Sequence, residues 1–220
     1  MANRKTTVRV TQPEETKQPS DVSVPNIETQ VIPVHVIGIS PLIVNNFDEK
    51  TITELDDKSQ GKVTKRGQGR PPKVPEDEFQ KRRILNDKGQ DCIFGRWVKA
   101  ALVTACTLTE DMLKRPLVRQ TVWVREELIV IEGPKPEMSR DVVRVGKWPN
   151  KQPDIRYRPK YNKWALSFHI EYEPRLVPLA RLVYLIRRAG LSVGLCEWRP
   201  EKGADGGMYG RFDLKLMGAS

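Results

Sequence analysis

The sequence predicts an α+β fold: a ferredoxin-like or RRM-like (RNA-recognition-like) antiparallel sheet with two helices, a long basic insertion and a flexible N-terminal arm. Three observations predict it. Segments with β-branched or alternating apolar residues fall in both halves of the chain, around 30–39 and 164–172. Two segments carry helical spacing, one in each half, around 95–106 and 178–190. Their order, strand, helix, strand, strand, helix, strand, is the split βαβ arrangement. A length of 220 residues suits one mid-sized domain.

Residues 1–29 are rich in Thr, Pro, Glu and Lys and have little to bury, which predicts a flexible arm before a single domain over 30–220. Val31, Ile32, Val34, Val36, Ile37 and Ile39 form the first strand, and Pro33 makes its first part a sheet edge or strand start. The pattern then collapses over about 48–83, read as an insertion. Within it, 58–73 holds six basic residues, no acidic one, three glycines and two prolines.

Order returns after a tight turn at Asn86–Gly89. Trp97, Val98, Ala101, Leu102 and Ala105 share one helical face. Val118 to Ile131 reads as a strand, and 141–146 as a short one. Leu166, Phe168, Ile170 and Tyr172 alternate onto one side of the next. Pro178 opens the second helix, with Leu179, Leu182, Val183 and Ile186 inward and Gly190 as its stop. A strand from Leu191 then leads through a glycine-rich loop into a last strand at Arg211–Leu216.

With 38 Lys+Arg against 28 Asp+Glu, the formal charge is +10, which favours phosphate-bearing partners. Cys92, Cys106 and Cys196 are odd in number and have no CxxC spacing, so neither a disulfide framework nor a zinc site is expected. No apolar run reaches the roughly 20 residues of a membrane helix, and the first residues lack the apolar core of a secretory signal. A cytoplasmic setting, no membrane, no metal and no cofactor are expected.

Three stretches combine charge with stacking surface. The loop Gly194–Gly210 matches neither a P-loop nor a dinucleotide fingerprint, and Trp198, Arg199, Lys202, Tyr209 and Arg211 surround its glycines. Glycines let a backbone approach phosphate. The stretch 140–163 interleaves Arg140, Arg144, Lys147, Arg156, Arg158 and Lys160 with Trp148, Tyr157 and Tyr161. Cations neutralise phosphates, and aromatic faces stack on unpaired bases. The insertion adds Lys62, Lys65, Arg66 and Arg70 as a basic arm suited to clamping a strand or reaching a neighbour. Catalytic constellations are scarce: His35 and His169 lie in half-buried strands, and no nucleophilic triad or metal motif is visible. The chain is expected not to be an enzyme.

Ser40-Pro41-Leu42 at the end of the first strand, Lys99-Ala100-Ala101-Leu102 in the first helix and Tyr209-Gly210-Arg211 before the last strand resemble elements of the RAMP superfamily. These are ferredoxin-like proteins of CRISPR ribonucleoprotein complexes, and the likeness is to their backbone subunits. The resemblance implies binding of single-stranded nucleic acid, with RNA favoured over DNA. It also implies antiviral defence, copies of the chain polymerised along the strand, and contacts with other ribonucleoprotein subunits. A structural or assembly protein of a phage or mobile element is the alternative. A metal-independent endoribonuclease with His35 or His169 as general base is a third reading.

Overall fold

The strict apolar alternation of Leu166, Phe168, Ile170 and Tyr172 builds the middle of the protein. All four are buried, on the strand that carries most of the pairing in the main sheet. The computed structural model describes residues 26–46, 59–60, 74–109, 112–146, 152–202 and 206–215. In chain order the elements are β1 (Gln30–Gly38), β2 (Leu42–Ile43), α1 (Pro75–Lys81), β3 (Cys92–Phe94), α2 (Gly95–Ala105) and α3 (Arg115–Thr121). Then come β4 (Val122–Val124), β5 (Leu128–Glu132), β6 (Glu137–Val145), β7 (Gln152–Tyr161), β8 (Ala165–Tyr172), α4 (Leu179–Arg188) and β9 (Phe212–Leu214).

The main sheet runs β3-β5-β8-β1-β9, with β4 also on β8, and every pair is antiparallel. With β4 and β5 taken as one interrupted strand, β9-β1-β8-β4/β5 is the 4-1-3-2 order of a ferredoxin-like fold. The interruption is a bulge. Val124 opposes Ile170 whereas Ile131 opposes Leu166, so three more residues pass on the β4/β5 side (131 − 124 = 7) than on β8 (170 − 166 = 4).

One face of the sheet is covered by helices. Val98, Ala101, Leu102 and Ala105 of α2 and Leu182, Leu185 and Ile186 of α4 join Val34, Val36, Leu166 and Phe168 in one buried cluster. Fully burying each large apolar side chain contributes about 1.5–3 kcal/mol. A second sheet, β2-β7-β6, carries the long β6–β7 hairpin beside this core.

Several expectations need correction. Val118–Ile131 is not one strand: Arg115–Thr121 is helical, with proline at its start and Val118 buried beneath it, and strands begin only at Val122. The stop at Gly190 is not a stop, because the chain continues through a π turn, Ala189–Val193, where a strand was expected. The π turn tucks Gly190 against the backbone of Phe212, where a Cβ would lie 2.0 Å from the Phe212 carbonyl oxygen. Leu179 is exposed, and Leu185 takes the inward position instead. The end of the stretch read as patternless forms α1, which buries Phe79 and packs against β7. Pro33 sits as expected: among the described residues β9 covers only Val36–Gly38 of β1, and Pro33 lies beyond that pairing.

Candidate nucleic-acid interface

Lys62, Lys65, Arg66, Arg70, Lys147 and Trp148 lie outside the described residues. So do residues 1–25 of the expected arm. The remaining expected site residues fall on the β6–β7 hairpin and the loop 194–211, and the fold brings these two together.

Pairing in β6–β7 sorts the hairpin's side chains by parity. Arg140 opposes Tyr157, Val142 opposes Ile155 and Arg144 opposes Pro153, so these share one face. Asp141 opposes Arg156 and Ser139 opposes Arg158, which places them, with Lys160, on the other.

That second face is closed by ion pairs and by the loop. Arg158, 1% exposed, donates to Asp141 at 2.9 Å and lies 3.8 Å from Glu197 of the loop. Its guanidinium stands 5.7 Å from the Trp198 ring. Arg156 pairs with Asp154 at 3.7 Å, and the Lys160 amine stands 5.7 Å from the Tyr209 ring. Trp198 and Tyr209 lie 6.3 Å apart with tilted planes, and Trp198 remains 40% exposed.

Burial removes two expected residues from the contact surface. Arg158 is the buried clamp between hairpin and loop, because two carboxylates and an aromatic ring enclose its charge. Tyr161 is 2% exposed, and its hydroxyl sits beside the Arg83–Asp91 ion pair. Burial pushes that phenol well above its ordinary value, with Asp91 adding to the effect.

The described part of the glycine-rich loop is also not an open phosphate cradle. The Gly207 N–H donates to the Arg199 carbonyl at 3.1 Å, and an added Cβ would lie 1.7 Å from the Trp198 carbonyl oxygen. Gly210, at φ +70°, faces the Leu195 carbonyl oxygen, where a Cβ would lie 2.0 Å away. Both glycines serve chain-on-chain packing. The Gly210 N–H donates to the Pro41 carbonyl at 2.7 Å, and the Arg211 N–H to the Ser40 hydroxyl at 2.9 Å. Two of the stretches that carry the resemblance are thus bonded to each other.

Glu197, which the sequence did not single out, ties the loop together. Its N–H donates to the Ile43 carbonyl at 3.0 Å, and its carboxylate receives Lys202 at 2.5 Å. Partial burial works to raise its pKa, but Lys202 and Arg158 outweigh burial and hold the carboxyl below its ordinary value. Arg199 bonds Glu201 at 2.9 Å and the Cys196 carbonyl at 2.9 Å. A dyad of charges at 197 and 202 within one short loop was the available signal for this tie.

The other face is different. Arg140 and Arg144 are exposed, and Val142 is 64% exposed between them. Arg140, Arg144 and Arg211 have no carboxylate within ion-pair distance among the described residues.

The face of the main sheet opposite the helices carries both histidines. Pro33 opposes His169 and His35 opposes Ser167, so the two rings are diagonal neighbours on β1 and β8. The His35 Nδ1 lies 2.8 Å from the Ser167 hydroxyl. Glu126, from the bulge, receives the His169 backbone N–H and lies 2.6 Å from its Nδ1. Partial burial of Glu126 works to raise its pKa, and these His169 contacts outweigh it and hold the carboxyl below its usual value. Among the described residues, no group of three or more His, Cys, Asp or Glu is placed to hold a metal ion. No helix there is long and apolar enough to cross a membrane.

The strand order defines an antiparallel ferredoxin-like α+β protein with an added three-stranded sheet. No family model and no curated protein matches the sequence. Among solved structures, the crystal structure of Cmr6 from Pyrococcus furiosus is similar at a TM-score of 0.46 and 11% identity, covering 86% of this chain and 98% of that one.

Proposed function

We propose that this chain is a non-catalytic subunit that binds single-stranded nucleic acid, RNA in preference to DNA. Copies of it assemble along the strand as the backbone of a ribonucleoprotein complex. The observation that carries the reading is the meeting of the hairpin with the loop. Exposed Arg140 and Arg144 stand on a ribbon whose base holds Lys160, Trp198 and Tyr209 together. Cations with no carboxylate partner among the described residues neutralise phosphates, and a partly exposed tryptophan offers a stacking face, so these contacts read no base sequence. The net charge of +10 favours the same class of partner. Anisotropy titration of labelled single-stranded RNA and the matching DNA across salt, with mass photometry on the same samples, tests the reading. Salt-sensitive binding with a ladder of assembled copies is expected. A discrete oligomer that ignores every oligonucleotide at low salt refutes it and favours an assembly protein of a phage or mobile element.

A second reading has its own observation. His35 and His169 share the sheet face opposite the helices, and Glu126 orients His169. A metal-independent endoribonuclease uses such a base near a 2′-hydroxyl. RNA cleavage that His169→Ala or His35→Ala abolishes would establish it.

A further inference from the structure

Between α2 and the loop lies a cavity of about 290 Å³ that none of the preceding roles uses. Trp97, Ala100 and Ala101 of α2 line one side, and Val193 and Leu195 the other. Asn45, Glu197, Arg199 and Lys202 bring polar groups to it. Ligand pockets run from about 300 to 1,000 Å³, so this one suits a single planar group and not a chain of them.

We propose that the cavity binds one guanine base, carried by guanosine monophosphate or by an unpaired position of a strand. The argument is donor–acceptor matching. An ionised carboxylate only accepts hydrogen bonds, and Glu197 is held in that form by Lys202 and Arg158. Both cations approach Oε2, while Oε1 has a contact of 3.5 Å from the Asn45 amide, so acceptor positions remain. Guanine presents two adjacent N–H donors, N1–H and N2–H, which the two oxygens of a carboxylate satisfy together. Adenine and cytosine set a ring acceptor beside their amino donor, which a carboxylate repels. Uracil has one N–H between two carbonyls. The Asn45 amide supplies a donor for guanine O6. Trp97 gives the base an aromatic wall.

For the strand form the inference rests on the proposed function; for the mononucleotide it does not. Calorimetric titration with GMP, AMP, CMP, UMP and ribose 5-phosphate tests the pocket. Anisotropy with labelled oligouridylate, with and without one central guanosine, tests the strand form. GMP is expected to bind about tenfold tighter than the other four, and the single guanosine to tighten oligomer binding about as much. Ala100→Leu fills the cavity from an exposed helix position with a good helix former, and is expected to remove the guanine preference. Its oligouridylate binding stays within about twofold. Glu197→Gln is expected to equalise GMP and AMP, with circular dichroism checking that both variants fold.

Equal binding of all four nucleotides, or ribose 5-phosphate as good as GMP, overturns the proposal. Oligomers that bind with no gain from guanosine, together with no GMP binding, overturn the pocket and leave strand binding intact. GMP binding without oligomer binding does the reverse.

Discussion

The two faces of the β6–β7 hairpin come from the same strands and have similar composition, yet they hold their charge differently. On one face Arg158 is enclosed by Asp141, Glu197 and Trp198, and Arg156 meets Asp154. On the other, Arg140 and Arg144 project beside Val142 with no carboxylate partner among the described residues. A run of basic residues therefore mixes two functions: fastening the ribbon to the domain and offering charge to a partner. Pairing parity separates them, and counting does not.

The largest test of that difference is Arg158→Ala. Removing one member of a buried ion cluster leaves Asp141 without its cation and Glu197 with Lys202 alone, at about 3–5 kcal/mol. Urea denaturation should show this loss; an unchanged midpoint would erase the distinction between the faces. Gly207→Ala comes next. Its Cβ must displace the Trp198 carbonyl, and overpacking of this kind costs about 1–3 kcal/mol.

The Glu197 carboxyl yields a smaller, pH-dependent effect. Its folded pKa lies below the ordinary value of about 4.3, so its contribution is present at neutral pH and is lost as pH falls through the folded value. Melting curves of the protein and of Glu197→Gln should differ at pH 7 and converge as pH drops below the ordinary glutamate range. A constant gap down to the lowest accessible pH would place Glu197 outside the clamp. The smallest effect on stability belongs to Arg140→Ala and Arg144→Ala, within about 0.5 kcal/mol. In nucleic-acid titrations each should flatten the log–log salt dependence by about one unit. Unchanged slopes would remove the outer face from the interface.

The order of elements was legible because period-2 and period-3.6 patterns are local properties of the chain. The helix Arg115–Thr121 was not read from its β-branched neighbours, although Pro116 marks its start as Pro178 does for α4. Long-range contacts were the blind spot. The carboxylates that neutralise Arg158 come partly from Glu197, in another element, and nothing in the local pattern announces that meeting. The same holds for the loop glycines, whose close partners are carbonyls of the loop itself. Lys160, Tyr209 and Trp198 were each visible as residue types, while their convergence depends on how β2 joins β7 to the loop.

The pairing of β1 with β8 also sets a timetable. Gln30 and Tyr172 meet across 142 residues of chain, so the centre of the sheet cannot close until β8 has been synthesised. At roughly 5–20 residues per second, a nascent β1 waits on the order of ten seconds without its partner. During that interval a β-branched strand lies open to any other extended chain, and Pro33, which has no N–H to offer at its edge, limits what can zip onto it. The same proline that lies beyond the β9 pairing in the described sheet is the strand's guard while the chain is being made.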